Sequence, residues 1–595
     1  MGNNKTEPHV QEDLFNPNNS NNQDTQAKRP KFLDTLSQAY VLRRKNIIIL
    51  TGDVNGLFWS PQAKNFLTLE QILNAELGDK FHLIRMDIAT GLSFYDLETE
   101  REVTRICESV DGYYTPAGRI EALRKMIDSS KHGPLSALVL LQGMAGAFVR
   151  VRRLEPDIQP MCAVFQFAGA LFSAGDYARL SDLDRQCLIS FLAWVNGPLY
   201  RDSPDLVVLI NPVKSEINSK ITGLPHAVHI EIDLPDQSER QQFVRYFSRR
   251  FPAVAFTQGQ DKFIEDTAGL ALQNIKDLLE VAARTNQPLT RQDVVAEVNA
   301  ILQAQLGDII RIKYPAHTSK DIVGYKETGE IFTTIFERCE DPETAVSAIL
   351  VSGPNGAGKT FQLEAYACES GRVVVELAGI RGSYFGETDK FFELLRWHIA
   401  TFGKILILVD EAHTAFGSVH SGGVHETEQR LSGNIIKMMG DPRYLGKVLW
   451  GMMTSRPDEL DPDIKSRAPI QVPIFDLEGE DRVLFVRELF TRKKITVTDE
   501  ELVEIIAKTD YYSARDYRNL TAEIVAQRRK KPECTVIEVL MGWQASKSIK
   551  RQREFQEMIA ALHCSYPKLV PHRYKDIPDD VLMRRVEELK SLLLH

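Results

Sequence analysis

The stretch that decides the fold is Gly353-Pro354-Asn355-Gly356-Ala357-Gly358-Lys359-Thr360, which follows the apolar run Ala348-Ile349-Leu350-Val351. This order predicts a buried strand, a glycine-rich loop and a helix that begins where the loop ends. The backbone N–H groups of such a loop surround phosphate oxygens, because glycine has no Cβ to block the approach. We expect Lys359 to reach the β- and γ-phosphates and Thr360 to bind Mg²⁺.

A second segment supplies carboxylates at the end of another apolar run. The sequence Ile405-Leu406-Ile407-Leu408-Val409-Asp410-Glu411 predicts a buried strand with two acidic residues at its carboxyl end. Asp410 is suited to hold the coordination shell of Mg²⁺, and Glu411 to orient and deprotonate an attacking water. Because the two segments occur in this order, the sequence predicts a site that hydrolyses ATP, with ATP and Mg²⁺ as its cofactors.

The composition limits which class of protein this chain is expected to be and which partners it is expected to bind. A chain of 595 residues is too long for one hydrophobic core, so we expect a multidomain protein. No run of eighteen apolar residues occurs, which predicts no membrane span. Seven cysteines without a C-x-x-C pair are typical of reduced thiols and predict a cytoplasmic location. The net charge of -9 makes nucleic acid an unlikely partner.

Patterning divides the chain into regions. Residues 1–30 are rich in Asn, Gln, Asp and Pro, and they are predicted to form a disordered tail because they offer too few apolar groups to offset the entropy of ordering. From residue 31 to about 300, predicted strands alternate with helical patterns, which indicates an α/β fold with a parallel sheet. These strands are expected at 47–51, 81–86, 163–167, 206–210 and 228–232.

The same succession recurs from about 315 to 530, which indicates a tandem duplication. The segments 243–250 and 485–492 are alike, and each lies three residues after an arginine, Arg240 or Arg482. This alignment puts Gln166-Phe167 where Asp410-Glu411 stand, and Phe58-Trp59 where Lys359-Thr360 stand. Without the lysine, the hydroxyl and the carboxylates, the first copy is predicted neither to bind ATP in the usual way nor to hydrolyse it, and to serve as a structural layer.

On these residues the chain resembles the AAA+ ATPases from about 31 to 530. The resemblance implies an α/β fold of tandem P-loop AAA+ modules, each a parallel sheet with helices on both faces plus a small helical lid. The implied regions are 31–235 for a degenerate module, 236–314 for its lid and a linker, 315–475 for an active module, 476–541 for its lid and 542–595 for a helical C-terminal extension. A degenerate first and an active second module are similar to the chloroplast and cyanobacterial-type two-module AAA proteins.

The resemblance also implies roles for residues around the nucleotide. Ile322, Val323 and Gly324 match the segment that contacts adenine, and Phe361 follows the phosphate loop. Ser455 stands where the family's sensor-1 residue is usually Asn, and a serine hydroxyl orients water over a shorter reach. Arg515 matches the sensor-2 arginine that touches the γ-phosphate, with a salt bridge inside the lid as the alternative.

A further implied residue acts between subunits. Arg467 ends the stretch that supplies the family's arginine finger, which neutralises charge on the γ-phosphoryl group bound by a neighbour. This implies a homo-oligomeric ring, most often a hexamer. Two alternatives stay open: Arg467 is an ordinary surface arginine, or a shifted register makes Arg456 the finger.

Two segments suggest how a client is handled. Arg381-Gly382-Ser383-Tyr384-Phe385-Gly386-Glu387 is similar to the aromatic pore loop that grips a threaded chain, and core packing of Tyr384 or Phe385 is the alternative. The C-terminal residues 581–594 form an amphipathic pattern. That helix is expected either to cover the lid of its own module or to dock on a neighbour or client.

The function favoured at this stage is an ATP-hydrolysing ring motor that threads, assembles or disassembles a protein client. A nucleotide-dependent scaffold or switch is the first alternative, and a nucleic-acid motor or loader is the second. The sequence does not identify the client, the direction of force or the ring size.

Overall fold

The computed structural model describes residues 29–43, 45–110, 124–131, 133–250, 254–306, 310–313, 315–377, 388–401, 404–416, 426–543 and 550–593. Two compact units are present. The first comprises residues up to 294 together with 389–401, and the second comprises 295–388 and 402–595. Most of the predicted tail 1–30, and the predicted pore-loop residues Tyr384 and Phe385, lie outside the described residues.

The first unit contains a six-stranded sheet in the order β5-β4-β6-β7-β1-β8, with a separate hairpin β2-β3. All neighbours in the sheet are parallel except β4 and β5. Sheet strands β1, β6 and β7 are buried almost throughout, as expected for a parallel sheet covered on both faces. The strands are β1 Ile47–Gly52, β2 Leu57–Ser60, β3 Asn65–Thr68, β4 His82–Asp87, β5 Gly91–Phe94, β6 Met161–Phe165, β7 Leu206–Ile210 and β8 Ala227–Ile232.

Helices cover both faces of this sheet, and a separate group follows β8. They are Lys31–Arg43, Leu69–Leu77, Leu97–Val110, Pro134–Arg152, Ala168–Leu171, Asp182–Asn196, Pro198–Arg201, Ser219–Thr222, Gln237–Arg250, Gln260–Asp266, Leu272–Thr285 and, later in the chain, Thr388–Thr401. The helix Arg291–Leu306 begins at the end of this unit and continues into the second.

One described helix, Pro134–Arg152, is long and apolar enough to cross a membrane by length and composition alone. The helix includes Gln142 and two glycines, Gly143 and Gly146, so no unbroken apolar run marked it in the sequence. Its inward side chains, including Leu138, Leu141 and Phe148, belong to the core beside the sheet. Such burial is typical of a core helix in a globular domain.

The second unit contains another six-stranded sheet, in the order β14-β10-β13-β12-β11-β9. Only the β9–β11 pair is antiparallel. The strands are β9 Ile310–Lys313, β10 Ala348–Ser352, β11 Val373–Leu377, β12 Ile405–Val409, β13 Val448–Thr454 and β14 Ile470–Pro473. The mixed α/β fold with parallel sheets predicted from the sequence is thereby confirmed.

Helices of the second unit fall into three groups. Around the sheet lie Lys326–Arg338, Lys359–Glu369, Ala412–Ala415, Glu426–Met439 and Pro462–Arg467. A lid with its own apolar core consists of Gly479–Arg492, Asp499–Lys508, Ala514–Lys530 and Val536–Gly542. A C-terminal group consists of Lys550–Leu562, His572–Lys575 and Asp579–Leu593.

Five strands of each sheet follow the same order, with β1 and β10 each between the last strand of the sheet and the strand before it. The sixth strand is an antiparallel edge strand in both sheets, but β5 follows β4 in the chain whereas β9 precedes β10. Details at the strand ends agree as well. Gly52 and Gly353 both have positive φ, and a Cβ on either would collide with a carbonyl oxygen, that of Ile232 or Ile474. A four-residue helix follows both β6 and β12.

Corresponding arginines hold the two lids. Arg240 donates to the carbonyl oxygen of Ile264 at 3.1 Å, and Arg482 donates to that of Ile506 at 3.1 Å. Each acceptor lies 24 residues after its arginine. A buried guanidinium that satisfies carbonyl oxygens at a helix end fixes the angle between the helices it joins.

The first unit departs from the second where the phosphate loop would be. The sequence alignment put Phe58 and Trp59 at the start of a helix, but both lie in β2 of the hairpin. The corresponding helix begins only at Leu69, so that residue and not Phe58 stands at the position of Lys359. Alternate residues of Leu57–Ser60 are buried, and this period of two is the reason that the segment forms a strand.

Candidate nucleotide-hydrolysis site

The phosphate loop follows β10, all of whose side chains are buried. Gly353, Gly356 and Gly358 have φ of 135°, 93° and 102°, a region that L-residues rarely adopt. The helix Lys359–Glu369 starts at Gly358, and no side chain caps its first turn. Its first N–H groups and its dipole therefore point at the loop, which is the arrangement that binds phosphate.

Lys359 lies inside this loop. Its Nζ donates to the carbonyl oxygens of Gly353 at 2.9 Å and Pro354 at 3.1 Å. Burial lowers the pKa of Lys359 to about 8, while the charges of Glu411 and Asp410 act to raise it. The ammonium group therefore lies within electrostatic reach of both carboxylates.

The carboxylates stand at the end of β12, whose residues are all buried. Asp410 and Glu411 are exposed, and Asp410 Oδ1 accepts a hydrogen bond of 2.9 Å from the Glu411 N–H. Glu411 has φ of 48°, so the backbone turns sharply here. A non-glycine residue in this conformation is uncommon and is found at functional sites.

Thr360 and Asp410 fit Mg²⁺. Thr360 is the second residue of the helix after the loop, and β10 and β12 are both parallel neighbours of β13, so their carboxyl ends meet at one edge of the sheet. A hydroxyl and a carboxylate are oxygen ligands that Mg²⁺ accepts together with phosphate oxygens and water. When bound, Mg²⁺ would offset the negative charge of the phosphate oxygens.

His413, to which sequence reasoning gave no role in the site, contacts Glu411, and Thr454 in turn contacts His413. His413 Nδ1 lies 3.5 Å from Glu411 Oε2 and 2.9 Å from Thr454 Oγ1. Thr454 Oγ1 also accepts a hydrogen bond of 2.9 Å from the Arg456 N–H. Thr454, at the end of β13, is thus the residue whose hydroxyl is connected to Glu411 through His413. The predicted Ser455 is the next residue, and it is buried.

A cavity of about 300 Å³ opens beside the loop. It holds the predicted Ile322 and Val323 and also Phe361, but Gly324 does not line it. The predicted Ala357 and Gly358 of the loop also line it. The remaining lining was not assigned from the sequence and comes from the segment around Ile322, from the helix after the loop and from the lid: His317, Asp321, Tyr325, Gln362, Phe485, Glu488, Leu489, Arg492, Ala514 and Arg518. A mostly apolar cleft of this size accepts a nucleobase.

Aromatic groups form one wall of this cavity. The rings of His317 and Phe361 are stacked with centroids 4.0 Å apart, and His317 Nε2 lies 3.0 Å from the Phe361 carbonyl oxygen. The Arg518 guanidinium lies 5.7 Å from the centre of the Phe361 ring. Tyr325 closes the opposite side by donating to the carbonyl oxygens of Ala357 at 3.1 Å and Phe475 at 3.0 Å.

The lid reaches the phosphate loop through Arg515. Its N–H donates to the Gly356 carbonyl oxygen at 3.4 Å, and its positive charge acts to lower the pKa of Lys359. Within the described part of the chain the Arg515 guanidinium makes no ion pair. The alternative of a salt bridge inside the lid is therefore not formed among these residues, and contact of Arg515 with a phosphate stays a prediction.

The two arginines considered for the finger differ in their surroundings. Arg456 donates to Asp458 at 2.9 and 3.0 Å, pairs with Glu459 at 2.7 Å and lies over the Phe555 ring at 4.7 Å. Arg467 is exposed at the end of the helix Pro462–Arg467. Only Arg467 therefore presents an exposed guanidinium, since that of Arg456 is occupied by its own chain.

Comparisons with known proteins agree with this geometry. Residues 20–233 match the family described as AAA+ chaperone, N-terminal Rossmann-like domain, and residues 349–475 match the ATPase family associated with various cellular activities (AAA). The second match contains the phosphate loop, both carboxylates and Arg467.

Similar curated proteins share only part of their length with this chain. A putative 26S proteasome regulatory subunit homolog of Methanocaldococcus jannaschii is 25% identical over 35% of this chain and 58% of its own. An ATP-dependent zinc metalloprotease FtsH of Aquifex aeolicus is 28% identical over 38% of each chain. A solved FIGL-1 AAA domain in complex with ADP aligns with a TM-score of 0.35 and 18% identity, over 43% of this chain and 93% of that one. The chain thus spans less than two thirds of these curated relatives.

Proposed function

Because the chain carries an AAA ATPase domain behind an AAA+ chaperone N-terminal domain, we propose that it is a motor that uses ATP hydrolysis to remodel a protein client. The observation that carries the proposal is the complete hydrolysis site of the second unit. The matched N-terminal domain supports a protein as the client, and so does the similarity to FtsH, an ATP-dependent zinc metalloprotease. The net charge of -9 argues against nucleic acid.

The residues of the second unit divide the chemistry among them. Lys359 and the N–H groups after Gly358 bind the phosphates, and Thr360 and Asp410 hold Mg²⁺. Glu411 accepts a proton from water as the oxygen of that water bonds to the γ-phosphorus. The bond between the γ-phosphorus and the bridging oxygen breaks at the same centre, which yields ADP and inorganic phosphate.

In this proposal the first unit is a degenerate copy of the second. The shared strand order, the lid arginines Arg240 and Arg482, and the exposed Phe167 at the position of Glu411 support a common origin. Loss of nucleotide binding is supported by the helix Leu69–Leu77, because Thr68 caps its first turn with its own side chain. A capped helix start offers fewer N–H groups to a phosphate.

We further propose a ring, most often hexameric in this family, in the cytoplasm. The exposed Arg467 is suited to reach nucleotide on a neighbouring subunit. Tyr384 and Phe385 are proposed to grip the client through apolar contact, which tolerates any peptide sequence.

Trapping the client tests this function. Glu411→Gln should bind ATP without hydrolysing it, so it should hold a client that wild-type protein releases. Native extract is passed over tagged Glu411→Gln and tagged Lys359→Ala, each with ATP, and the bound proteins are identified by mass spectrometry.

The decisive step uses the enriched protein in purified form. It should stimulate ATP turnover by the wild-type chain and should change its assembly or folding state only when ATP is hydrolysed. Enrichment of nucleic acid, or of nothing beyond the Lys359→Ala control, would overturn the proposal in favour of a loader or a scaffold.

A further inference from the structure

The C-terminal segment reaches the phosphate loop of its own module. The sequence indicated that this segment covers the lid or docks elsewhere, and it does contact the lid, where Lys550 lies over the Tyr511 ring at 4.3 Å. The helix Lys550–Leu562 extends further and buries Arg553, Phe555 and Gln556 almost completely. Polar side chains this deeply buried require partners.

Those partners are the backbone groups of one loop residue, Asn355. Gln556 Oε1 accepts a hydrogen bond of 3.2 Å from the Asn355 N–H. The Arg553 guanidinium donates to the Asn355 carbonyl oxygen. Both main-chain polar groups of this residue are therefore held by the C-terminal helix, which fixes the orientation of the peptide units on either side of it.

The same helix is bound to the junction between the sheet and the lid. Arg553 pairs with Asp476, which lies between β14 and the first lid helix. Arg573 bridges Glu557 and Glu478 at 2.9 Å each. The positions of the loop and of the junction are thus set by one helix, since Arg553 touches both.

The segment is anchored firmly enough to hold them. Ser565 and Gln471 exchange two hydrogen bonds of 3.0 and 2.9 Å, which tie the segment to the edge of β14. A separate apolar cluster joins the helix Lys550–Leu562 to the helix Asp579–Leu593; it consists of Phe555, Met558, Ile559, Tyr574, Leu582 and Leu589. Packing of this kind keeps the helix straight and in one position.

We propose that Arg553 and Gln556 are positioning residues of the nucleotide site, which hold Asn355 so that the phosphate loop keeps the conformation that receives ATP. The proposal goes beyond the family matches, since the matched AAA region ends at residue 475. It rests on the nucleotide site alone and not on the protein client proposed above. Neither side chain is expected to touch ATP, because each acts through Asn355.

The first test is Gln556→Met in the full chain, with Arg551→Met as the control on the exposed side of the same helix. Methionine keeps the length and volume of glutamine but cannot accept the bond from Asn355. The dissociation constant for a fluorescent ADP analogue should rise about tenfold in Gln556→Met, as expected for one lost hydrogen bond, and stay within twofold in Arg551→Met. Turnover at saturating ATP should stay within about twofold of wild type.

Hydrogen exchange distinguishes positioning from general stability. Peptides that contain 353–358 should exchange faster in Gln556→Met, whereas peptides from the sheet and the lid should not change. An unchanged dissociation constant with unchanged exchange at the loop would overturn the proposal. So would a loss of affinity that is matched by uniformly faster exchange through the whole module.

Arg553 is tested by Arg553→Lys, because an uncharged residue there would leave the buried Asp476 without its partner and endanger folding. Lysine retains the charge for Asp476 but not the planar pair of donors that spans Asp476 and Asn355. Its nucleotide affinity should fall by a factor similar to that of Gln556→Met, and the double variant should be no more than slightly weaker than either single one. Fully additive losses would overturn the shared action through Asn355.

Discussion

Some residues of the site can be recognised from a local sequence pattern, and others depend on contacts with residues that are distant in the sequence. Lys359, Asp410 and Glu411 could be predicted because each sits in a local pattern, a strand followed by a fixed set of side chains. His413 and Thr454 could not, because their contact joins the ends of different strands. His317 was missed for the same reason, since its stacking on Phe361 depends on how a distant segment folds back.

Separate variants should divide ATP binding from hydrolysis. Lys359→Ala should lose nucleotide binding, because it removes the positive charge that lies inside the loop. Glu411→Gln should keep its affinity for ATP while turnover falls by about 10² to 10⁴, the usual contribution of a general base. Titration with a fluorescent nucleotide and a phosphate-release assay measure the two effects, and normal turnover in Glu411→Gln would refute the assignment of the base.

His413 is predicted to hold the Glu411 carboxylate in place. Thr454→Val removes the hydroxyl that lies 2.9 Å from His413 Nδ1, while Thr454→Ser retains it. Turnover at saturating ATP should fall about tenfold in His413→Ala and in Thr454→Val, with nucleotide affinity unchanged, and Thr454→Ser should recover most of it. Equal turnover in the Val and Ser variants would exclude this role.

Among the elements, strands were easier to predict than the segments between them. The buried strands β7 and β12 are continuous apolar runs between polar boundaries, and such runs are distinctive in sequence. The hairpin β2-β3 was missed, because the comparison with the second copy predicted a helix there. Its strands are stabilised by contacts that the sequence does not reveal, such as Trp59 against Phe66 and Tyr246.

The loop after β1 differs from the phosphate loop in that it contains a carboxyl group, that of Asp53, whose effect on stability can be tested. Asp53 follows Gly52 there, and burial, with a smaller effect of Glu239, raises its pKa from 3.8 to about 7. Because the unfolded chain releases this proton near pH 4 and the folded chain only near pH 7, Asp53 destabilises the fold increasingly between these values and fully above them.

Asp53→Asn should therefore stabilise the protein at pH 8 and have little effect at pH 4. The shift in pKa corresponds to about 4 kcal/mol at most. Thermal unfolding of the nucleotide-free chain at both pH values measures the difference. A gain that is equal at pH 4 and pH 8 would show that the carboxylate charge is not its cause.

At the scale of the whole molecule, Arg467 lies on a surface that the described residues leave exposed. Arg467 is exposed, whereas Arg456 is engaged by Asp458, Glu459 and Phe555. The sequence left both arginines open as the finger, because their spacing from β13 does not decide between them. The choice depends on side-chain partners, and one of these comes from the C-terminal helix about a hundred residues later.

Subunit mixing tests whether Arg467 acts on a neighbour. Arg467→Ala should abolish turnover with ATP affinity nearly intact, since the finger contributes about 10³ to 10⁵ in rate. Mixed with Lys359→Ala subunits, it should partly recover activity, because some interfaces then combine an intact finger with an intact loop. Lys465→Ala, on the same helix, serves as the control. No recovery at any mixing ratio would contradict a shared site.

Phe167 has a φ of 52°, in the same backbone turn that Glu411 occupies with 48°. A bulky residue gains nothing from this turn, and Phe167 is 58% exposed, so neither local preference nor packing explains the conformation. Under the duplication proposed above, this turn is inherited from an ancestor in which a carboxylate stood there. The same proposal implies an order of events, in which the duplication came first and the first copy lost its side-chain chemistry afterwards.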